Sequence, residues 1–317
     1  MVTALMTGVH AIQAEMTIKG AYDFYLSEKT EPDPFKRKKQ VQRFTRSQGD
    51  LLHVTKQDIP LSKVNRSHAR GLRDRLLKRM GVESARRNIN DVKAVFSLAI
   101  REHDLSTSNP FARLEYPKPT DASVDRRHPL PNGVIVSMYE DLENNQVLQD
   151  VWTLLHHTGA QSAEILGLKA KHLILDGDIP HFAIKPEGLR TVKVHSRIRK
   201  VPLVGRALVV AKRLSENNGP DDDLFPQFSD TPKHDNFSQT VRKRLKKFTD
   251  HPKHTIYSLR HSMKDALIHT CAGERVEYAI LGHANERTSA AQYGSRVTLG
   301  EMQIALNRIE FDVPKMP

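Results

Sequence analysis

Apolar residues recur every three or four positions along most of this chain, the spacing of helices packed on one side. The strongest instance is "ESARRNINDVKAVFSLAIREHDLSTSNPF" (83–111), where Ile89, Val92, Val95, Phe96, Ala99 and Ile100 share one helical face. Arg86, Arg87 and Lys93 lie off that stripe, and Asn109 and Pro110 stop the helix. "SHARGLRDRLLKRMG" (67–81) predicts a second helix closed by Gly81 as its C-cap. With "TIKGAYDFYLSEK" these segments predict a helical, basic unit over residues 15–115. The next stretch, "YPKPTDASVDRRHPLP" (116–131), has prolines at 117, 119, 129 and 131 and no apolar period, so it reads as a linker. A second unit, 132–317, opens with helical patterns around "NGVIVSMYEDLENN" and "QDVWTLLHHTG". It passes through two strand-like stretches, "HFAIK" and "RKVPLV", and returns to helices from about residue 206. The expected fold class is mainly α, with a small antiparallel β-sheet in the second unit.

Length agrees with this division, since 317 residues suffice for two domains with cores of their own. Charge narrows the function. Lys plus Arg outnumber Asp plus Glu by 49 to 37, giving +12, as expected of a protein that neutralises phosphates. Charge alone does not separate nucleic acid from an acidic membrane surface. No apolar run approaches the roughly 20 residues of a spanning helix, and "MVTALMTGVHAIQAEM" has no basic region ahead of its apolar residues. The expectation is a soluble, unexported, cytoplasmic protein. The single cysteine, Cys271, can form no internal disulfide and has no CxxC partner for zinc, which points to a reducing compartment; it reads as a small helix residue. The chain shows no repeat, no low-complexity tract and no Gly-rich phosphate loop.

Candidate chemistry gathers late in the chain, where "LGHANERTSAAQYG" (281–294) sets His283 ahead of Tyr293. Breaking a DNA phosphodiester without a metal requires an in-line nucleophile, cations on the non-bridging oxygens and a proton donor for the leaving 5′-oxygen. A tyrosine phenolate suits the first role, because it stays attached to the DNA and conserves the bond as a phosphotyrosyl ester. The partners to seek are an arginine pair, a lysine and a histidine within one unit.

On these residues the chain resembles the tyrosine recombinase (phage integrase) family over about residues 15–305, the helical first unit looking like that family's core-binding domain. Four motifs appear in the family's order: "HTGAQSAEILGL", "LRTVKVHSRIRKVPL", "YSLRHSMKDAL" and "LGHANERTSAAQYG". The resemblance implies that Tyr293 is the nucleophile that takes the 3′-phosphate and that Arg260 binds the scissile phosphate with its planar fork. It implies that Lys193 protonates the leaving 5′-hydroxyl, with Lys200 or Lys185 as alternative matches, that His283 hydrogen-bonds the phosphate, and that Glu164 supports the first motif. His261 beside Arg260 is expected to be structural. It further implies a two-domain clamp on double-stranded DNA, cleavage and rejoining without metal, nucleotide or other cofactor, and a homotetramer. The tail "TLGEMQIALNRIEF" (298–311) is expected to pack on a neighbouring protomer, and no membrane partner is implied. The protein would then serve DNA recombination or integration, in a bacterial or phage-derived, nucleoid-associated setting.

Two positions depart from the family pattern. Gln161 stands where the first catalytic arginine is expected, and Tyr257 where the second motif has a histidine. A phenol can still donate to a phosphate oxygen, although with a pKa near 10 it is a poor proton shuttle. An amide supplies no charge, and loss of an arginine aimed at a transferring phosphoryl group costs on the order of 10³ to 10⁵ in rate. Lys169 and Lys171 follow the motif as cations that could offset it. The alternative reading is therefore an integrase-like DNA-binding protein that has lost catalysis. For DNA contacts outside the site, Arg86, Arg87 and Lys93 in the first unit are candidates, with Arg242 and Arg244 from the run "VRKRLKKF" (241–248).

Overall fold

The one-sided apolar stripes become helices, and the ends of those helices are set by their caps. The computed structural model describes residues 15–117, 128–186, 198–283 and 296–314. The chain divides into two compact units, 1–120 and 121–317. Among the described residues the first holds four α-helices: α1 (Ile18–Glu28), α2 (Pro34–Thr55), α3 (Arg66–Leu77) and α4 (Val82–Glu102). Asp33 starts α2 by accepting from the N–H groups of Phe35 and Lys36, with Pro34 placed where a missing N–H loses nothing. Asn65 starts α3 in the same way. The stripe expected on α4 is buried at Ile89, Val92, Val95, Phe96 and Ala99, against Tyr22, Phe44, Leu51, Leu72 and Phe111 from the rest of the unit. Gly81 corrects the sequence reading. Helix α3 ends at Leu77, and Gly81, at φ −63° and ψ 158°, is the N-cap of α4. Glycine suits either end of a helix, and no left-handed turn is required here.

The second unit holds α5 (Asn132–Asp141), α6 (Gln146–Thr158), α7 (Ser162–Leu166), strands β1 (Leu173–Ile174), β2 (His181–Ile184) and β3 (Arg199–Pro202), then α8 (Gly205–Glu216), α9 (Thr231–Leu245), α10 (Ser258–His269), α11 (Glu274–Leu281) and α12 (Leu299–Asn307). The sheet is antiparallel in the order β1-β2-β3, with Leu173 opposite Phe182 and Phe182 opposite Val201. The mainly α fold with a small antiparallel sheet is therefore as expected; β1, only two residues long, had no periodicity to betray it. Helix α6 is the axis of this unit, buried from Leu148 onward apart from Gln149. One core surrounds it with Tyr139, Trp152, Phe182, Phe225 and Phe237; a smaller one joins α10, α11 and α12 through Met263, Leu267, Ile280, Leu281, Met302 and Leu306.

The tail departs from expectation. Met302, Ala305 and Leu306 of α12 are buried in the chain's own unit, and Phe311 stacks on His157 with ring centroids 4.0 Å apart. Its apolar face is thus already covered, leaving Ile304 exposed. Cys271 also differs: it lies past the end of α10, exposed, at φ +53°. Among the described residues no helix is long and apolar enough to cross a membrane.

Candidate active site

Two helix C-termini meet two arginines. Helix α6 closes on Gly159 in the left-handed conformation (φ +63°), where a Cβ would stand 2.6 Å from Met263 Cγ, so only glycine fits. The Gly159 carbonyl accepts from Arg260 Nη1 at 2.7 Å. Helix α11 closes on Gly282, also left-handed, and its last carbonyls face the same place. Arg260 Nη2 donates to the Leu281 carbonyl and Arg199 Nε to that of Ile280 at 2.8 Å. Cations are favourable at such carbonyl-rich ends.

The anion of the set is Glu164, 8 % exposed. Its two oxygens accept from Arg199 Nη1 at 3.0 Å and Nη2 at 2.9 Å, a bidentate pair, and Oε2 also accepts from the Gln161 N–H at 2.8 Å. Burial alone would raise the Glu164 pKa; the Arg199 bonds and charge, the Gln161 N–H and the Arg260 charge outweigh it and hold the carboxyl below its ordinary value. Arg260, 4 % exposed, is pulled down by burial, with Tyr257 and Glu164 working against that and the like charge of Arg199 working with it. Tyr257, 45 % exposed, lies beside Arg260, where it favours the charged guanidinium, and sets its ring edge-on to His261 at 5.0 Å. Arg260 Nε is buried without a hydrogen-bond partner among the described residues. The guanidinium expected to grip a phosphate with its fork is here anchored by both Nη atoms to the backbone.

From this cluster a groove of about 500 Å³ opens beside β3 and α11. Lys185, Arg199, Lys200, His283 and Arg296 line it, and among the described residues no carboxylate does. Both alternative lysines thus face it, while Lys193 and Tyr293 lie outside the described residues. His283 follows the left-handed Gly282, its N–H bonded to the Tyr278 carbonyl at 3.1 Å and its ring edge-on to that tyrosine. Glu164 and Gln161 are therefore bonded in one set with Arg199, Arg260 is anchored beside them with Tyr257 at its side, and His283 stands at the adjoining groove.

Other sequence candidates are distributed differently. Arg244 bonds the Asp141 carboxylate at 2.7 Å together with Lys247, tying α9 to the end of α5; burial opposes these bonds, yet they keep the Asp141 carboxyl below its ordinary value. Arg242 and Lys93 are exposed. Arg86 pairs with Glu83 and lies over the Tyr116 ring, whereas Arg87 lines a polar concavity of about 890 Å³ with Arg43, Arg46, Arg75 and Arg79, tempered by Asp50 and Asp91. Lys169 binds Asp223 at 3.1 Å and Lys171 binds Asp221 at 2.9 Å, so the two lysines that follow the first motif are paired with the 221–223 turn.

Among the described residues, His128, His251 and His254 form the group with metal-ligand composition, their nitrogens within 4.8 Å of one another. The rings of His251 stand 4.5 Å from each of the other two in a tilted stack, and His251 Nδ1 accepts from the Lys253 N–H. The residue that sequence reasoning missed is Arg199. An arginine at the head of the strand "RKVP", in a chain whose first motif carries a glutamate and no arginine, was the available signal.

The fold is one that solved integrase structures share. No family model matches the chain and no curated protein is similar to it in sequence, so the comparison rests on solved structures. The chain is similar to the Tn1549 transposon integrase in complex with a circular intermediate DNA (TM-score 0.65, 18 % identity, 93 % of this chain and 100 % of that one). It is similar to the lambda integrase in a tetramer bound to a Holliday junction (TM-score 0.64, 16 % identity, 86 % and 80 %) and to a lambda integrase dimer bound to a COC′ core site (TM-score 0.62, 14 % identity, 90 % and 100 %). The fold that the four motifs implied is the fold of these proteins.

Proposed function

We propose that this protein is a site-specific DNA recombinase of the tyrosine type, cleaving and rejoining strands through a 3′-phosphotyrosyl intermediate. The observation that carries the reading is the buried Arg260–Glu164–Arg199 set opening on a cationic groove that no carboxylate lines among the described residues. In the proposed step the Tyr293 oxygen bonds to phosphorus as the bond to the 5′-oxygen breaks. The phenolic proton passes to a base, for which His283 is the groove's candidate, and a lysine, Lys193 or its neighbours in the groove, protonates the leaving oxygen. Arg260, steadied by two helix ends, holds charge where the pentacoordinate phosphate develops it, and Tyr257 donates where the family has a histidine.

The same reading gives the first unit, 15–115, a DNA-binding role through the arginine-lined concavity, and makes 116–131 the linker to the catalytic unit, 132–317. Duplex DNA is the partner and a homotetramer on two sites the active form, supported by the tetramer in which the lambda integrase is found. The setting is a DNA-associated protein of the bacterial cytoplasm. The test is a nicked suicide duplex built on the sequence that the protein selects from a random library, followed by a denaturing gel. A covalent protein–DNA adduct is expected. Binding without any adduct would instead establish a DNA-binding protein that has lost catalysis.

A further inference from the structure

The arginine that the first motif lacks is supplied from another element. Gln161 heads α7 with a neutral amide, and Lys169 and Lys171 are held by Asp223 and Asp221. Arg199 comes instead from the start of β3, across 35 residues, to the same helix turn. It grips the glutamate that caps Gln161, donates to the carbonyl next to the one Arg260 uses, and acts on Arg260 as a like charge. It also lines the groove, which Gln161 does not. The charge count shows why this matters. Without Arg199, Glu164 would cancel Arg260 and the buried set would offer a phosphate no net charge; with it, two cations and one anion leave a charge of about +1.

We propose that Arg199 is the second arginine of the site, a positioning residue that holds Glu164 and supplies the positive charge that Gln161 cannot. The proposal rests on the recombinase reading. Guanidiniums are suited to the place, because a planar fork satisfies both carboxylate oxygens while its remaining face carries charge toward the groove, which an ammonium does less well. Gln161 and Arg199 then form a linked pair. An arginine entering from position 161 would compete for Glu164 rather than fill a gap, so Gln161→Arg alone should change the rate less than tenfold.

The experiment measures adduct formation by the full chain on the selected nicked duplex, with DNA affinity and melting temperature recorded for every variant. Arg199→Gln should slow adduct formation by on the order of 10³ while DNA affinity stays within a few-fold. Gln161→Arg placed in that background should recover at least tenfold. A second substrate separates charge from structure: a duplex whose scissile phosphate carries a methyl in place of one non-bridging oxygen has no charge to neutralise. On it the gap between the wild-type protein and Arg199→Gln should shrink by tenfold or more, which a merely structural role would not produce. Should Arg199→Gln fail to fold, Arg199→Gln with Glu164→Gln removes one cation and the anion together, keeps the net charge of about +1 and should form adduct within about tenfold of the wild-type protein; a loss on the order of 10³ in that pair overturns the proposal. A single variant that reacts within threefold of wild type, or a gap that is the same on both substrates, overturns the proposal. If the wild-type protein binds the duplex and forms no adduct, the recombinase reading fails and this inference with it.

Discussion

Ser47, bonded to Tyr22 at 3.0 Å, is the one buried polar residue of the first unit among those described. In the second unit Asp150, His156, His157, Glu164, His172, His181, Arg260 and Glu277 are all buried. The two units thus bury different chemistry. The first keeps its cations on the surface and in an open concavity around an apolar core, as suffices for holding a phosphate backbone. The second takes cations and a carboxylate out of water, which stabilises a fold only when every partner is in place. Preorganised charge of that kind is what phosphoryl transfer draws on.

The largest effect that sharpens this contrast is loss of Glu164. Glu164→Ala orphans Arg199 and leaves two buried guanidiniums facing each other, and should destabilise the second unit by about 3 to 5 kcal/mol. Asp50→Ala in the first unit removes a half-buried carboxylate shared by Arg75 and Arg79, whose guanidiniums keep solvent contact, and should cost about 1 kcal/mol or less. Chemical denaturation reads both, and equal losses would erase the distinction.

Acid should separate the units next. Burial, followed by the charge of Arg206, lowers His156 from 6.5 to about 4; burial, then His156 and Arg206, lowers His157 to about 2. A folded pKa below the unfolded one means that the unfolded chain takes up protons first as pH falls. The stability is therefore complete above about 6.5 and is lost from there down toward 4, His156 alone accounting for on the order of 3 kcal/mol. His53, His68 and His103 of the first unit are not buried. Hydrogen exchange corrected for intrinsic rates should show α6 and α10 losing protection between pH 7 and 4.5 while α2 and α4 keep theirs; uniform loss would contradict the assignment.

Much of this architecture was legible. Helices with a one-sided apolar stripe, such as α4, announce themselves because 3.6-residue periodicity is local. So did the motifs holding Arg260, Glu164 and His283. What escaped reading depends on partners distant in sequence. Arg199 meets Glu164 across 35 residues and Arg244 meets Asp141 across 103, and neither pairing leaves a trace in the pattern around either residue. Gly81 was assigned to the wrong helix because glycine flanks both ends. The tail's apolar face looked available because nothing local shows that Met263 and Leu267 cover it.

Glycines offer a smaller test. Gly159→Ala puts a Cβ 2.6 Å from Met263 Cγ at a positive φ and should cost the second unit about 2 kcal/mol. Gly49→Ala, on exposed α2 with nothing within 4 Å, should stabilise the first by about 0.5 to 1 kcal/mol. Shifts of the same sign in the two variants would mean that the site end of α6 is not built as tightly as described.

The most direct measurement locates the covalent bond itself. The full chain is reacted with the nicked duplex, digested, and the peptide carrying the nucleotide is sequenced by mass spectrometry. The account predicts a phosphodiester link at Tyr293, absent in Tyr293→Phe, with DNA affinity nearly unchanged because one hydroxyl adds little to a large phosphate interface. An adduct on any other residue, or one that survives Tyr293→Phe, would contradict the claim that the buried charge of the second unit serves a tyrosine nucleophile.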